Sequence, residues 1–161
     1  MRQACLVTDN SAQFSKPNFP GQNLIHIVPL DLQMNGQRIN PEDDVKANLL
    51  PKIVTGKNKP QVSSPSADYF YKKFQALSFH FDPIIAIFLS SGLNKCYQNA
   101  VEAAETIKGK ADILIIDSKT TSVGLGLLIM SALEAIRDGH SLLQIDRKIR
   151  NLLPHLYTLF C

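Results

Sequence analysis

Four short clusters of small polar residues punctuate this chain: Thr8-Asp9-Asn10-Ser11, Ser63-Ser64-Pro65-Ser66, Ser90-Ser91-Gly92 and Asp117-Ser118. Three of them end apolar, strand-like runs and lead towards a helix. The Ser63 cluster itself opens a helix-forming stretch. Hydroxyl groups and free backbone N–H groups at helix starts suit a carboxylate or a phosphate, and they hold an anion without any formal positive charge. The same residue types are favoured at caps and turns for purely local reasons. A single cluster is therefore ambiguous, and convergence of several on one edge of a sheet is what would make a site.

Other chemistry finds less support. A serine nucleophile needs a base within hydrogen-bond reach. The chain holds no Gly-x-Ser-x-Gly elbow and no Gly-x-x-x-x-Gly-Lys phosphate loop. Asp9 and Asp117 are the acids to consider as a base or as magnesium ligands, and both also read as turn or cap residues. Cys5, Cys96 and Cys161 are odd in number and far apart, which is neither a disulfide framework nor a zinc pattern. His26, His80, His140 and His155 show no ligand spacing. The residues thus assign no catalytic group and no metal site. The expected cysteine state is a buried free thiol in a reducing cytoplasm.

The elements that must position these clusters follow from periodicity. Ala4 to Val7, Leu24 to Leu30, Ile84 to Leu89 and Ile113 to Ile116 are apolar runs of strand length. The last two are continuous, as buried parallel strands are when both faces are covered. Leu30, Leu32 and Met34 alternate with polar residues, and Asn35-Gly36 is a hairpin signal leading to a return strand at Gln37 to Ile39. Asn40, Pro41 and the acids Glu42 to Asp44 read as a helix start, with Val45 and Leu49 on one face and Pro51 at its end. Thr55 to Pro60 reads as a basic loop. Phe70, Phe74 and Leu77 stand at core spacing on the helix after Ser66. Tyr97, Ala100, Val101, Ala104 and Ile107 mark the apolar side of the next helix, and Gly109 its end. Leu125, Leu128, Ile129 and Leu133 form a third stripe, closed by Gly139. Ser141 with Gln144 spells a capping box for one more helix, which Pro154 stops, and His155 to Phe160 is a further strand candidate.

The expected fold class is α/β: a mostly parallel sheet with helices on both faces, plus a hairpin. Ligands of such sheets bind beyond the carboxyl ends of the strands. With 161 residues, 45% hydrophobic and 19% charged, the chain is long enough and apolar enough for a substantial core. The formal charge of +3 is small, and the basic residues are scattered apart from Lys57 and Lys59, which argues against nucleic acid. No apolar stretch reaches bilayer-spanning length. The residues after Met1-Arg2-Gln3 lack the pattern of a secretory signal, so the cytoplasm is the expected location.

The order of the clusters resembles the DegV family. A strand ending near Asp-Ser corresponds to Thr8 to Ser11. A strand ending in Pro-Leu, a hairpin and an acidic helix start correspond to Val28-Pro29-Leu30, Asn35-Gly36 and Pro41 to Asp44. Val62-Ser63-Ser64-Pro65-Ser66 stands in place of the family's Thr-Ser-Gln-Pro-Ser, with Val62 where the threonine would be. Ser90-Ser91-Gly92 and Leu93 to Tyr97 stand in place of Ser-Ser and Leu-Ser-Gly-Thr-Tyr, with Asn94-Lys95-Cys96 replacing Ser-Gly-Thr. Asp117-Ser118, Ser122, Gly124 and Gly126 match the last motif.

The resemblance implies the first of two α/β lobes and one long-chain fatty acid as ligand, with no other cofactor. It implies a binding protein and not an enzyme, one that hands its fatty acid to a separate kinase. It places the fatty-acid site at Val62, Ser63, Ser91, Asn94 and Ser118. Residues 1–154 would be the amino-terminal domain, and 155–161 the start of a missing or truncated second lobe. Two further readings stay open: an interaction or remnant protein that keeps the fold without lipid, and a small-molecule enzyme at the same sheet edge.

Overall fold

The computed structural model describes residues 2–34, 37–39, 60–109 and 111–159. Four parallel strands make the main sheet: β1 (Gln3–Asp9), β2 (Ile25–Val28), β6 (Phe81–Phe88) and β7 (Ile113–Asp117), in the order β2-β1-β6-β7. Leu6 pairs with Ile25 on one side and Ile85 on the other, and Ile85 pairs with Leu114. Side chains alternate faces along a strand, yet every residue from Cys5 to Asp9 and from Ile84 to Phe88 is buried. Both faces of the sheet centre are therefore covered, which is why these segments read as unbroken apolar runs.

The covers are two helix pairs. Helix α1 (Ala67–Ser78) packs on α2 (Cys96–Ile107), and α3 (Ser122–Arg137) packs on α4 (Leu142–Leu152). Ser66 caps α1 by accepting the Tyr69 N–H at 3.2 Å, and Phe70, Phe74 and Leu77 turn into the core as their spacing predicts. The capping box of α4 is present, with Ser141 and Gln144 each accepting the other's backbone N–H. Gly109 and Gly139 follow α2 and α3 with φ of +88° and +76°.

The buried stripe of α2 differs from the expected one. Ala100 and Ile107 are on it, but Cys96 and Ala103 complete it, and Tyr97, Val101 and Ala104 are half-buried on the flank. The close neighbour α1 explains the rotation. Ala103 lines a cleft shared with Ala67 and Tyr71 of α1, while Val101 and Ala104 line an open cleft beside Ile113 and Ile115 of the edge strand β7.

A second, small sheet has the order β4-β3-β5 and is antiparallel, made of β3 (Asp31–Met34), β4 (Gln37–Ile39) and β5 (Gln61–Ser63). The pairing of β3 with β4 is the expected hairpin, and Arg38 forms an ion pair with Asp31 across it. Strand β5 was not expected. Its three residues are all exposed and too few to show a period, and it is specified by its partner, with Leu32 opposite Val62 and Asp31 opposite Ser63. The hairpin tip Asn35-Gly36, the helix expected from Asn40 to Pro51, most of the basic loop from Thr55, and Cys161 lie outside the described residues.

The strand expected over His155 to Phe160 is not formed among its described residues. A 3-10 turn occupies Leu153–His155, and 156–159 run on without a strand partner among the described residues. Leu156 still packs on the core and the Thr158 hydroxyl meets that of Thr120 at 2.6 Å, while Tyr157 and Leu159 face solvent. Among the described residues no helix is long and apolar enough to cross a membrane.

Candidate functional site

Parallel pairing brings the carboxyl ends of β1, β2, β6 and β7 to one edge, and side-chain hydrogen bonds then fix the loops that leave it. Asp9 is fully buried, and its carboxylate accepts the Ser11 N–H at 3.0 Å and the Leu89 N–H at 2.8 Å. It thereby joins the ends of β1 and β6. Asn10 does the same for β2: its N–H donates to Val28 O at 3.1 Å, and its Oδ1 accepts the Leu30 N–H at 2.9 Å. The loop after β1 is drawn onto α3, where Gln13 N–H donates to Ser122 O at 3.1 Å. Gly126 makes this approach possible, because a Cβ there would stand 1.8 Å from Gln13 O.

The ends of β6 and β7 are joined through Asp117. Its Oδ1 accepts the backbone N–H groups of Ser91 and Lys119, each at 3.1 Å, and its Oδ2 accepts from Lys119 Nζ at 2.6 Å. Partial burial alone would raise the Asp117 pKa, but the hydrogen bonds from Lys119 and Ser91 outweigh it and hold the carboxyl below its ordinary value. The same contact raises Lys119. Ser90 N–H donates to Thr120 O at 2.8 Å. Lys119 and Ser122 both adopt φ of +55°, an uncommon conformation for residues with a Cβ, so this turn is held by its surroundings.

Between these loops and the small sheet lies an open groove of about 420 Å³. Leu30, Leu32, Val62, Leu89 and Leu93 supply its apolar wall, and Asn10, Ser11, Asn94 and Thr121 its polar groups. Thr121 precedes α3 without capping it; its hydroxyl instead donates to Ser11 Oγ at 3.1 Å. Asn94 accepts the Cys96 N–H at 2.9 Å and reaches Val62 O from its amide at 3.4 Å, so β5 is tied to the start of α2. Asn99 fastens the following loop, donating to Pro65 O at 2.7 Å and Ser64 Oγ at 3.2 Å.

Of the five residues singled out in the sequence, Val62 and Asn94 line the groove. Ser63 is the next residue along β5 and is exposed. The Ser91 hydroxyl faces Lys119 Nζ at 3.4 Å. Ser118 is 1% exposed, and its hydroxyl is closed into the turn, donating to Thr120 O at 3.0 Å and accepting the Thr120 N–H at 3.2 Å. Sequence reasoning did not choose Ser11 or Thr121 as site residues. Their signal was present, since Ser11 ends one polar cluster and Thr120-Thr121-Ser122 extends another.

Cys5 and Cys96 are free and buried, and burial pushes the Cys5 thiol up to about 12 and the Cys96 thiol up further, the latter with help from the Asp9 charge. Among the described residues no group of His, Cys, Asp and Glu is arranged to hold a metal ion.

This arrangement has known counterparts. A family model for an uncharacterised protein, DegV family, matches residues 4–161. The DegV domain-containing protein SACOL1460 of Staphylococcus aureus strain COL is 30% identical over 156 residues, 97% of this chain and 55% of its own length. The chain belongs to the DegV family. Another member, the DegV domain-containing 15.5 kDa protein of Staphylococcus aureus, is 30% identical over 136 residues, 84% of this chain and 95% of its own.

Solved DegV structures share the fold. A fatty-acid-binding DegV family protein from Thermus thermophilus superposes with a TM-score of 0.82 at 24% identity, covering 96% of this chain and 54% of its own. The fatty-acid-binding DegV family protein SAG1342 of Streptococcus agalactiae gives a TM-score of 0.82 at 21% identity, with 96% and 54% covered. The chain thus spans about half the length of SACOL1460 and of these two solved proteins.

Proposed function

We propose that this DegV chain binds a long-chain fatty acid in the groove, with the carboxylate towards Asn94 and the acyl chain along Val62 and the leucines. The observation that carries this reading is the groove itself. It is apolar along one wall, bears neutral hydrogen-bonding groups, and sits beyond the carboxyl ends of parallel strands, where α/β sheets take their ligands. Each methylene withdrawn from water contributes about 0.8 kcal/mol, so the chain supplies most of the affinity. Hydrogen bonds to the carboxylate contribute on the order of 1.5–3 kcal/mol each and orient it. Ser118 supports the site by holding the turn in shape.

A binding role fits the polar groups better than catalysis does. The groove is lined by amides and hydroxyls, and both nearby carboxylates are engaged elsewhere, Asp9 with backbone amides and Asp117 with Lys119. On this reading the bound acid is passed to a separate fatty-acid kinase, which supplies the chemistry. A second lobe beyond residue 154 belongs to the same proposal, as does a cytoplasmic location, which suits two free buried thiols.

Val62 allows a direct test, because it is 52% exposed on a short strand and its replacement leaves the core intact. Displacement of a fluorescent fatty acid is measured for the unaltered protein and for Val62→Glu. Saturable binding that the new carboxylate abolishes is the expected result. Equal binding by both proteins would place the lipid elsewhere, and no binding by the unaltered protein would end the proposal.

A further inference from the structure

Polar groups reach the groove from two different junctions of the fold, and the carboxylate contact proposed above uses only one of them. At the junction of β5 and α2 stand Asn94 and the Val62 carbonyl. At the junction of β1 and α3 stand Ser11 and Thr121, joined hydroxyl to hydroxyl at 3.1 Å. In that bond Thr121 donates and Ser11 accepts, so the Ser11 hydroxyl hydrogen points elsewhere. Leu89 and Leu30, which also line the groove, are 6% and 7% exposed, so this side of the wall is the less hydrated one. A plain methylene chain laid across Ser11 and Thr121 would displace water from both hydroxyls and return no hydrogen bond, which is unfavourable.

We propose that the ligand of this groove is an acyl chain carrying a second oxygen function, a hydroxyl or a carbonyl, placed to meet the Ser11–Thr121 pair. The inference rests on the fatty-acid reading above and adds the class of fatty acid. A ligand oxygen accepts from Ser11, and a ligand hydroxyl in turn donates to Thr121. Both protein hydroxyls then keep partners when water leaves. Selectivity arises because the unsubstituted chain leaves the Ser11 hydroxyl hydrogen unpaired, a stronger discriminator than a change in chain length.

The experiment compares hexadecanoate with a set of positional monohydroxyhexadecanoates by calorimetric titration. At least one isomer is expected to bind roughly tenfold more tightly than hexadecanoate, the worth of one well-made hydrogen bond. Ser11→Ala and Thr121→Val are each expected to bring the affinity of that isomer to within about twofold of hexadecanoate's, whatever the common affinity of the two acids for the variant. Thr121→Ser, which keeps the hydroxyl, is expected to retain the preference and controls for damage to the fold. Hexadecanoate binding at least as tightly as every isomer overturns the inference while leaving the fatty-acid reading standing. A preference that survives in both hydroxyl-free variants overturns it too. Failure of all the acids to bind the unaltered protein overturns both.

Discussion

Asp9 and Asp117 look in the sequence like a base or a pair of metal ligands, and in the fold both are engaged in joining strand ends. Asp9 accepts from Ser11 N–H and Leu89 N–H with its two oxygens. Asp9→Asn replaces one acceptor by an NH₂ group facing a backbone N–H. The expected loss is about 1–3 kcal/mol of stability, checked by urea unfolding at neutral pH. Asp117 gives a pH signature. Its folded-state pKa is lowered, so its contribution is fully present above the ordinary carboxylate value and is lost as pH falls through the folded value. The unaltered protein is therefore expected to exceed Asp117→Asn in stability at pH 7, with the gap closing in acid. A gap independent of pH in thermal unfolding would contradict the assigned contacts. The types of these residues were legible from the chain, but their roles were not. A carboxylate becomes a turn fastener or a base according to which amides and side chains fold around it. Ser118 shows the same limit, because its hydroxyl is taken up by Thr120 two residues on.

At the scale of elements, two neighbouring strands of the main sheet and the helix caps could be read directly because their signals are local, although β7 lies at the sheet edge with Ile113 to Ile115 only half-buried. Unbroken apolar runs gave β6 and β7, and Ser141 with Gln144 marked the start of α4. What could not be read locally depended on a neighbour. Strand β5 exists because β3 pairs with it, Ala103 of α2 is covered by α1, and among the described residues no strand pairs with the segment after Pro154. Gly126 belongs to this class. Its neighbours in sequence suggest only a glycine in the first turns of a helix, while the fold places the Gln13 carbonyl against it. Gly126→Ala is expected to push the 10–13 loop away from α3 and lower stability by roughly 1–3 kcal/mol, despite alanine's better helix propensity. Differential scanning calorimetry checks this. A raised melting temperature would mean that the loop does not lie on the helix.

At the scale of the molecule, the groove is a product of long-range assembly. Asn10, Leu30, Val62, Leu89 and Thr121 come from five separate stretches and meet only because parallel pairing stacks the strand ends. The order of polar clusters was enough to suggest the DegV family, which the family match and the 30% identical relatives establish. It was not enough to say which hydroxyls face the cavity, since that depends on loop geometry fixed by Asp9, Asn10 and Asp117.

Native mass spectrometry of the protein as isolated from cells, alongside Val62→Glu, is the most direct measurement. The account predicts an added mass matching one long-chain carboxylic acid on the unaltered protein and its absence from the variant. Bare protein in both preparations, unchanged after incubation with added fatty acid, would contradict it.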